Sequence, residues 1–460
     1  MGDSQKKLQR RQSSLRVLQA NVQKGGANHD MALSIAFENN CDLLLIQEPW
    51  IHNDLQRRCT KTHPAFETFA PCTQWDKRPR VITYVRKGRG LAPCQPAANI
   101  CQDLLLVALN SRDSPMLIWN IYNAPSGAID AGAGLQALLQ YEHEAPTLVA
   151  GDFNIRHSLW DATGETPQDG EDLIQWADSH SLRIANPPFI PTHQRGGVLD
   201  LTLVTHPEAR CEVEPSLHTS SDHESLLTII PLARSLYSKV GRLNLGTCDT
   251  VKYLQLLQHT TEPVYNNLEE ETSDIVQALN TALHGSCRLR LEAAGGAPWW
   301  NDVCRAAHQK YKALRRTGPA EEERKALRRC VRQAKQTYWQ QIVQDAAKVT
   351  DVYKIVKWHK KETALQSPPL QKEGGLATTP QEKAQVLQEA LLSRHLEAED
   401  IPANTPAVPR RAIPWSIITV KEVFSAVCQV SSTSPGADEI PAAALRLAWP
   451  IIGAYITLLF

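Results

Sequence analysis

Eight short apolar runs punctuate the first half of the chain, and most of them end on a polar or ionisable residue. They are Leu15–Ala20 before Asn21, Cys41–Gln47 before Glu48, Val81–Val85, Asp103–Leu109, Met116–Tyr122, Leu148–Ala150 before Gly151-Asp152, Val198–Val204, and Leu226–Ile230. Continuous apolar runs of this length suit strands buried on both faces. Asp200 interrupts the seventh run, and Ser220–His223 precedes the eighth. A carboxylate in such a place needs a buried partner or an open strand end. The pattern therefore predicts two packed sheets with one polar cleft at their edge.

Between the runs, His29–Asn40 carries Met31, Ala32, Ile35 and Ala36 at helical spacing, and Glu171–His180 does so with Leu173, Ile174, Trp176 and Ala177. Lys87–Gly90 reads as a turn. The stretch Thr147–Asn154, TLVAGDFN, is the most informative. Gly151 allows close approach of a ligand to the backbone. Side chains two apart on a strand point the same way, so Asp152 and Asn154 would share one cleft if the strand continues that far.

The chain has 460 residues, enough for two or three domains. Lys plus Arg equals Asp plus Glu, 49 each, which excludes a uniformly basic coat but not a local basic segment. The eleven Cys form no Cys-x-x-Cys pair, so neither a disulfide framework nor a zinc site is expected, and the thiols read as reduced and the protein as intracellular. No apolar run reads as long enough for a membrane span, and the basic N-terminus lacks the apolar stretch of a secretory signal. Asn21, Glu48, Tyr122, Asp152, Asn154, Asp200, Asp222 and His223 all lie at or beside strand ends. This set offers hard oxygen ligands and one imidazole but no thiolate cluster, which selects Mg²⁺ or Mn²⁺ over zinc. Tyr122 reads equally well as a core tyrosine.

The ordered motifs QAN (19–21), QEP (47–49), Tyr122 before Pro125, GDFN (151–154), LD (199–200) and SDH (221–223) resemble the endonuclease/exonuclease/phosphatase superfamily. DLLLIQEPWI (42–51), GDFNIRHSLW (151–160), VLDLTLV (198–204) and SDHESL (221–226) resemble, within it, the endonuclease of non-LTR (LINE-type) retrotransposon polyproteins. The resemblance spans residues 15–230 and implies a four-layer α/β sandwich, two mostly antiparallel sheets flanked by helices, followed by a mainly helical extension. It implies that Glu48 binds the metal with Asn21 and Asp222, and that Asp152 activates or orients the attacking water with Asn154 positioning it. His223 would contact the scissile phosphate, Asp200 would orient His223, and Tyr122 would hydrogen-bond the phosphate. Thr192, Arg78, Arg80, His157 and Ser221 are candidate nucleic-acid contacts. A loop hydroxyl explains Thr192 equally well, and a solvated turn explains Arg78 and Arg80. Apurinic endonucleases of the superfamily carry an Asp two residues after the first-motif Asn; this chain has Gln23, which argues against that specialism.

The expected organisation is a disordered leader (1–14), the nuclease domain (15–230), a helical and partly basic region (231–405) and the truncated start of a reverse transcriptase (406–460). Residues 305–361 hold 16 Lys and Arg against five Asp and Glu, an excess that favours contact with DNA or with element RNA. Pro319 and Glu321–Glu323 mark a helix start whose face carries Leu327, Val331, Ala334, Tyr338 and Ile342. SPGADEIP (434–441) resembles the entry to reverse transcriptase fingers, yet no Asp-Asp pair occurs, so no polymerase activity is expected. The apolar face of the last stretch is expected to lack a partner. The function expected is metal-dependent DNA nicking that leaves a 3′-hydroxyl for target-primed reverse transcription, in the nucleus. The alternatives are a phosphoesterase on another substrate and a non-catalytic nucleic-acid-binding remnant. No membrane partner is expected.

Overall fold

The apolar runs pair into two six-stranded sheets in the computed structural model of the chain. The structure describes residues 14–71, 75–97, 101–109, 115–141, 147–162, 166–232, 242–258, 268–290, 295–346, 365–367, 369–378, 380–391, 417–429, 438 and 440–459. The leader to residue 13, the basic residues 347–361 and most of SPGADEIP lie outside the described residues.

The first sheet has the order β11-β12-β1-β2-β4-β3, from β1 (Ser14–Asn21), β2 (Leu43–Gln47), β3 (Phe66–Phe69), β4 (Val81–Arg86), β11 (Arg210–Val213) and β12 (Leu226–Pro231). The second has the order β5-β6-β7-β8-β10-β9, from β5 (Pro93–Cys94), β6 (Leu104–Leu109), β7 (Met116–Tyr122), β8 (Leu148–Asp152), β9 (Arg183–Ile184) and β10 (Asp200–Val204). Each sheet is antiparallel except for one central parallel pair, β1–β2 and β7–β8. A parallel neighbour needs a crossover, and α1 (Gly26–Glu38) and α2 (Ala133–Leu139) lie in the two connections. α3 (Gln168–Ser179) joins α2 on the outer face of the second sheet.

Three apolar clusters show the layering. Leu15, Val17, Leu43, Leu45, Val107, Ile118, Leu148 and Ala150 form the interior between the sheets. Leu18, Leu44 and Ile82 pack outward against Met31 and Ile35 of α1. Trp119, Val149 and Leu203 pack outward against Leu135, Leu173 and Trp176. Alternation along each strand thus feeds two cores at once, which is why the runs are apolar throughout. Polar contacts also cross between the sheets: among them Gln47 Nε2 donates to Asn120 Oδ1 at 2.7 Å and Gln19 Nε2 to Asp200 Oδ1 at 3.4 Å.

Gly151 serves the strand pairing rather than a ligand. A Cβ there would overlap the carbonyl oxygen of Ile121 on β7. Gly151→Ala is expected to destabilise the fold by about 1–3 kcal/mol or more, as overpacking does, and to displace Asp152 next to it; a thermal melt beside an activity assay reads both.

The described residues divide into two compact units, Met1–Ser238 with Ala294–Arg394, and Lys239–Ala293 with His395–Phe460. In the first unit, α6 (Asp302–Arg315) and α7 (Glu321–Gln344) follow the sheets. Asn301 caps α6 by accepting from Cys304 N at 3.1 Å, and Glu321–Glu323 complement the dipole of α7. Cys304, Tyr311, Leu327 and Val331 join the outer cluster around α1. In the second unit, α4 (Thr250–Gln258), α5 (Leu268–Ser286) and α10 (Ala442–Leu459) share a core of Tyr253, Leu257, Leu279, Leu283, Ala444, Ala448 and Ile452. Two sequence expectations change here. α10 is long and apolar enough to cross a membrane by length and composition, where the sequence reading predicts no such run. Its apolar face also has a partner, because α4 and α5 lie far upstream in sequence but pack against it. The remaining helices are α8 (Pro380–Leu391) and α9 (Val420–Cys428).

Candidate active site

The C-terminal ends of the two parallel pairs supply the site, the usual position for ligands in sheets with parallel strands. On the second sheet, Asp152 pairs in register with Tyr122 on one side and Asp200 on the other. Three strand ends thus place three polar side chains in one row. On the first sheet, Asn21 ends β1 and Glu48 follows β2. The loop before β12 brings Ser221, Asp222 and His223.

His223 Nδ1 lies 2.8 Å from Asp200 Oδ2, and its Nε2 lies 3.9 Å from Asp152 Oδ2. Asn21 Nδ2 donates to Asp152 Oδ2 at 2.9 Å. Tyr122 donates its hydroxyl to Glu48 Oε1 at 3.3 Å, and Lys24 Nζ lies 3.0 Å from the same oxygen. Gln23 Nε2 donates to Asp222 Oδ2 at 2.9 Å and Ser221 Oγ to Asp222 Oδ1 at 3.2 Å. A neutral amide at position 23 thus meets a carboxylate that an Asp there would repel. Side chains up to two hundred positions apart in sequence converge on one edge.

Asn154 reaches the site by another route than strand alternation. The strand ends at Asp152, and the chain turns so that Asn154 N donates to Asp152 Oδ1 at 3.2 Å. Asn154 Nδ2 is engaged by Asn123 O at 2.8 Å. Thr192 lies under Asp200: its buried Oγ1 accepts from the backbone N–H of Leu199 and of Asp200, both at 3.0 Å. Arg80 is ion-paired with Asp103 and with Asp130 at 2.6 Å, and its guanidinium stacks over Tyr122 at 5.1 Å. It supports Tyr122 with its charge already compensated. His157 is held inside the fold, accepting at Nδ1 from Leu159 N and facing Glu171 Oε1 at 3.1 Å through Nε2. Neither ring nitrogen is left for a phosphate. Arg78 is half-buried, and the structure ties it to none of the site residues.

Sequence reasoning does not single out His193, whose ring packs on His223 at 4.8 Å with Nε2 3.6 Å from Asp222 Oδ2. Nor does it assign Lys24 or Asn123. The one signal for His193 is its place beside Thr192. Backbone geometry marks the site as well. Glu48, Asn154 and Ser220 have φ of 47°, 50° and 64°, a region that costs a non-glycine residue roughly 1–3 kcal/mol.

Burial and then the charge of Asp200 push Asp152 up to about 8, against the pull of His223. Burial works to lower His223, but Asp200, Asp152 and Asp222 outweigh it and lift the imidazole to about 10. Tyr122 is raised by burial and by Glu48 and Asp152.

The carboxylates and imidazoles brought here from separate elements could hold a divalent cation. Among the described residues, two groups bring their ligand atoms within 4.8 Å of one another: Asp152 with Asp200 and His223, and His193 with Asp222 and His223. Glu48 belongs to neither. The first group is already spent on the Asp200–His223 hydrogen bond, which a cation there would have to break. Without a cation, the raised Asp152 makes stability fall as pH rises from about 4 to about 8, because the folded state holds a proton that the unfolded chain has released. A divalent cation held by Asp152 would compete with that proton. The gain in melting temperature on adding Mg²⁺ is expected to be larger at about pH 8.5 than at about pH 5.5; equal gains at both would remove Asp152 from the cation site.

Residues 116–227 match a family model described as "Endonuclease-reverse transcriptase". Solved structures similar to this chain include the endonuclease domain of TRAS1, a telomere-specific non-LTR retrotransposon (20% identity, 48% of this chain and 100% of that one, TM-score 0.40). Others are the AP endonuclease LMAP from Leishmania major (17%, 48% and 88%, TM-score 0.39) and an endonuclease/exonuclease/phosphatase family protein from Leptotrichia buccalis (13%, 46% and 98%, TM-score 0.32). No curated protein matches the chain in sequence. The matched segment runs from β7 through Asp152, Asp200 and His223 to β12.

Proposed function

We propose that this domain is a Mg²⁺- or Mn²⁺-dependent DNA endonuclease that hydrolyses one strand to a 5′-phosphate and a 3′-hydroxyl, the latter serving as primer for reverse transcription in a retrotransposon-derived protein. The observation that carries it is the Asp200–His223 pair facing Asp152 across 3.9 Å, beside Asp222. Acid and base sites of this kind need titratable groups whose surroundings set their protonation states apart. His223, lifted to about 10, is an imidazolium at neutral pH. It places a proton and a positive charge at Nε2, where a phosphate oxygen gains charge in the transition state. Asp152, ionised where a bound cation offsets its burial, would take the proton of the attacking water, and the backbone turn at Asn154 fixes the carboxylate's orientation. Tyr122 and Asn154 orient the phosphate and the water, while the buried Thr192 holds the backbone of Asp200 and Ser221 supports Asp222. Glu48, Asp152 and Asp222 would hold the divalent ion, with Asn21 steadying Asp152; such an ion, when bound, offsets negative charge and acidifies water.

The exposed Arg316, Arg329 and Arg332 on the hairpin region extend a positive surface suited to nucleic-acid backbone. Replacing Arg329 and Arg332 together by Ala should reduce the slope of log affinity against log salt by about 2. The activity is tested by nicking of supercoiled plasmid in Mg²⁺, run beside phosphate release from soluble phosphoesters. Nicking without phosphate release supports the proposal. Phosphate release alone makes the protein a phosphoesterase on another substrate, and DNA binding without either product makes it a binding remnant.

A further inference from the structure

The loop that carries Asp222 and His223 is held from two sides. On one side the 192–197 turn accepts and donates backbone bonds, with Gln194 N to Asp222 O at 2.8 Å and Glu224 N to Thr192 O at 2.7 Å. On the other side stand α6 and α7, which begin some eighty residues after the loop. His308 Nε2 donates to His218 O at 3.0 Å, and Tyr311 donates its hydroxyl to His218 Nδ1 at 3.2 Å. Arg315 forks onto both carboxylate oxygens of Glu224. Arg328 donates from Nε to Ser220 Oγ at 3.0 Å and from Nη2 to Ser220 O. Ser220 Oγ in turn donates to Asn28 Oδ1 of α1 at 2.8 Å.

Ser220 is the residue whose backbone most needs such support. Its φ of 64° is unfavourable for a side chain with a Cβ, and it directly precedes Ser221-Asp222-His223. Strain at such a position persists only where the surroundings over-determine it. Leu217, at the start of the loop, is buried in the same cluster as Cys304, Tyr311, Leu327 and Val331. Between loop and hairpin lies a cleft of about 150 Å³ lined by Ser221, Asp222, Arg315 and Arg324.

We propose that the α6–α7 hairpin is a working part of the nuclease: through Arg328 it clamps Ser220 in its left-handed conformation and so aims Asp222 and His223 at Asp152. Arg328 is a positioning residue; it touches the loop backbone and not the reacting groups. The role rests on the reading of Asp222 and His223 given above. The clamp has a steric logic of its own. A forked guanidinium reaches the hydroxyl and the carbonyl of one residue together, which an ammonium cannot match.

The test uses the full chain with Arg328→Ala, Arg328→Lys, Ser220→Ala and the double variant Arg328→Ala/Ser220→Ala. Deuterium exchange over peptides covering 217–225 should rise at least about threefold in Arg328→Ala and in Ser220→Ala, with peptides over β1 and β8 unchanged. The nicking kcat should fall at least about tenfold, while DNA affinity, measured in an Asp152→Ala background, stays within about twofold. Arg328→Lys should recover part of the loss. The double variant should lose less than the sum of the two single losses, because both disturb the Arg328–Ser220 contact. Unchanged exchange over 217–225 overturns the proposal. So does an Arg328→Ala variant with normal kcat and weakened DNA binding, which would make Arg328 a phosphate contact. If the parent chain does not nick, the nuclease reading fails, and the exchange arm still decides the clamp.

Discussion

Asp152→Ala is expected to lower the nicking rate by about 10³-fold or more, and Asp152→Asn by nearly as much while raising the melting temperature. The first expectation follows from how many roles meet at one carboxylate. Its Oδ2 receives Asn21 and faces His223, and its Oδ1 receives the backbone N–H of Asn154. Loss of a positioned base costs roughly 10²–10⁴ in rate, and loss of an anchor for the cation adds to it. The second expectation follows from burial. The Asp152 side chain is only 2% exposed and lies beside the Asp200 carboxylate, so its ionised form is held at a cost without a cation. Asn keeps the shape and an acceptor for Asn21 but carries no charge. A site residue whose removal stabilises the fold signals function more strongly than one whose removal unfolds it. Plasmid nicking and a thermal melt of the same samples decide the matter: a variant that nicks like the parent removes Asp152 from the mechanism.

The parts of this molecule that are legible in its sequence are those whose cause is local. An unbroken apolar run such as Leu43–Gln47 announces a strand packed on both faces, and Asp200 within such a run announces a buried partner. The partner itself is not local. Nothing at position 200 names Gln19 or His223, although a row of carboxylates at strand ends narrows the field. Phe66–Phe69 and Arg210–Val213 carry weaker signals because they are edge strands, apolar at only some positions. Ala133–Leu139 spans only two turns, so its period is faint. Asn154 shows a subtler limit. Period-two reasoning brings it to the site for a reason that does not hold, since the strand ends at Asp152 and a turn completes the approach. The charge excess over residues 305–361 favours nucleic-acid contact although a solvated bundle helix suits most of its residues singly, and in the fold Arg315, Arg328 and Lys335 are spent on Glu224, Ser220 and Asp30. Charge counts cannot separate a cation aimed at solvent from one aimed at a loop a hundred residues away.

Asp200→Asn is expected to reduce kcat by about 10²–10³ at neutral pH with little change in KM, and to move the alkaline limb of the rate profile to lower pH. Asn preserves an oxygen acceptor for the His223 Nδ1 proton, now 2.8 Å from a carboxylate, so the ring keeps its place and tautomer. What disappears is the charge. The same exchange at the acid of a serine protease triad costs about 10⁴, in a reaction where the histidine must gain its proton; His223 begins with one, which makes the smaller loss reasonable. The sign of the pH effect is fixed by the balance at the imidazole. Burial lowers His223, and Asp200 does more than any other neighbour to lift it to about 10. Its contribution to stability is full below the ordinary histidine value near 6.5 and is lost as pH rises through about 10. Without the Asp200 charge, burial is opposed only by Asp152 and Asp222, and the imidazolium releases its proton at lower pH. The variant should therefore regain part of its relative activity as pH is lowered. A rate profile whose alkaline limb coincides with that of the parent would show that Asp200 holds the ring in place without tuning it. The charge at Nε2 would then not be what stabilises the phosphate.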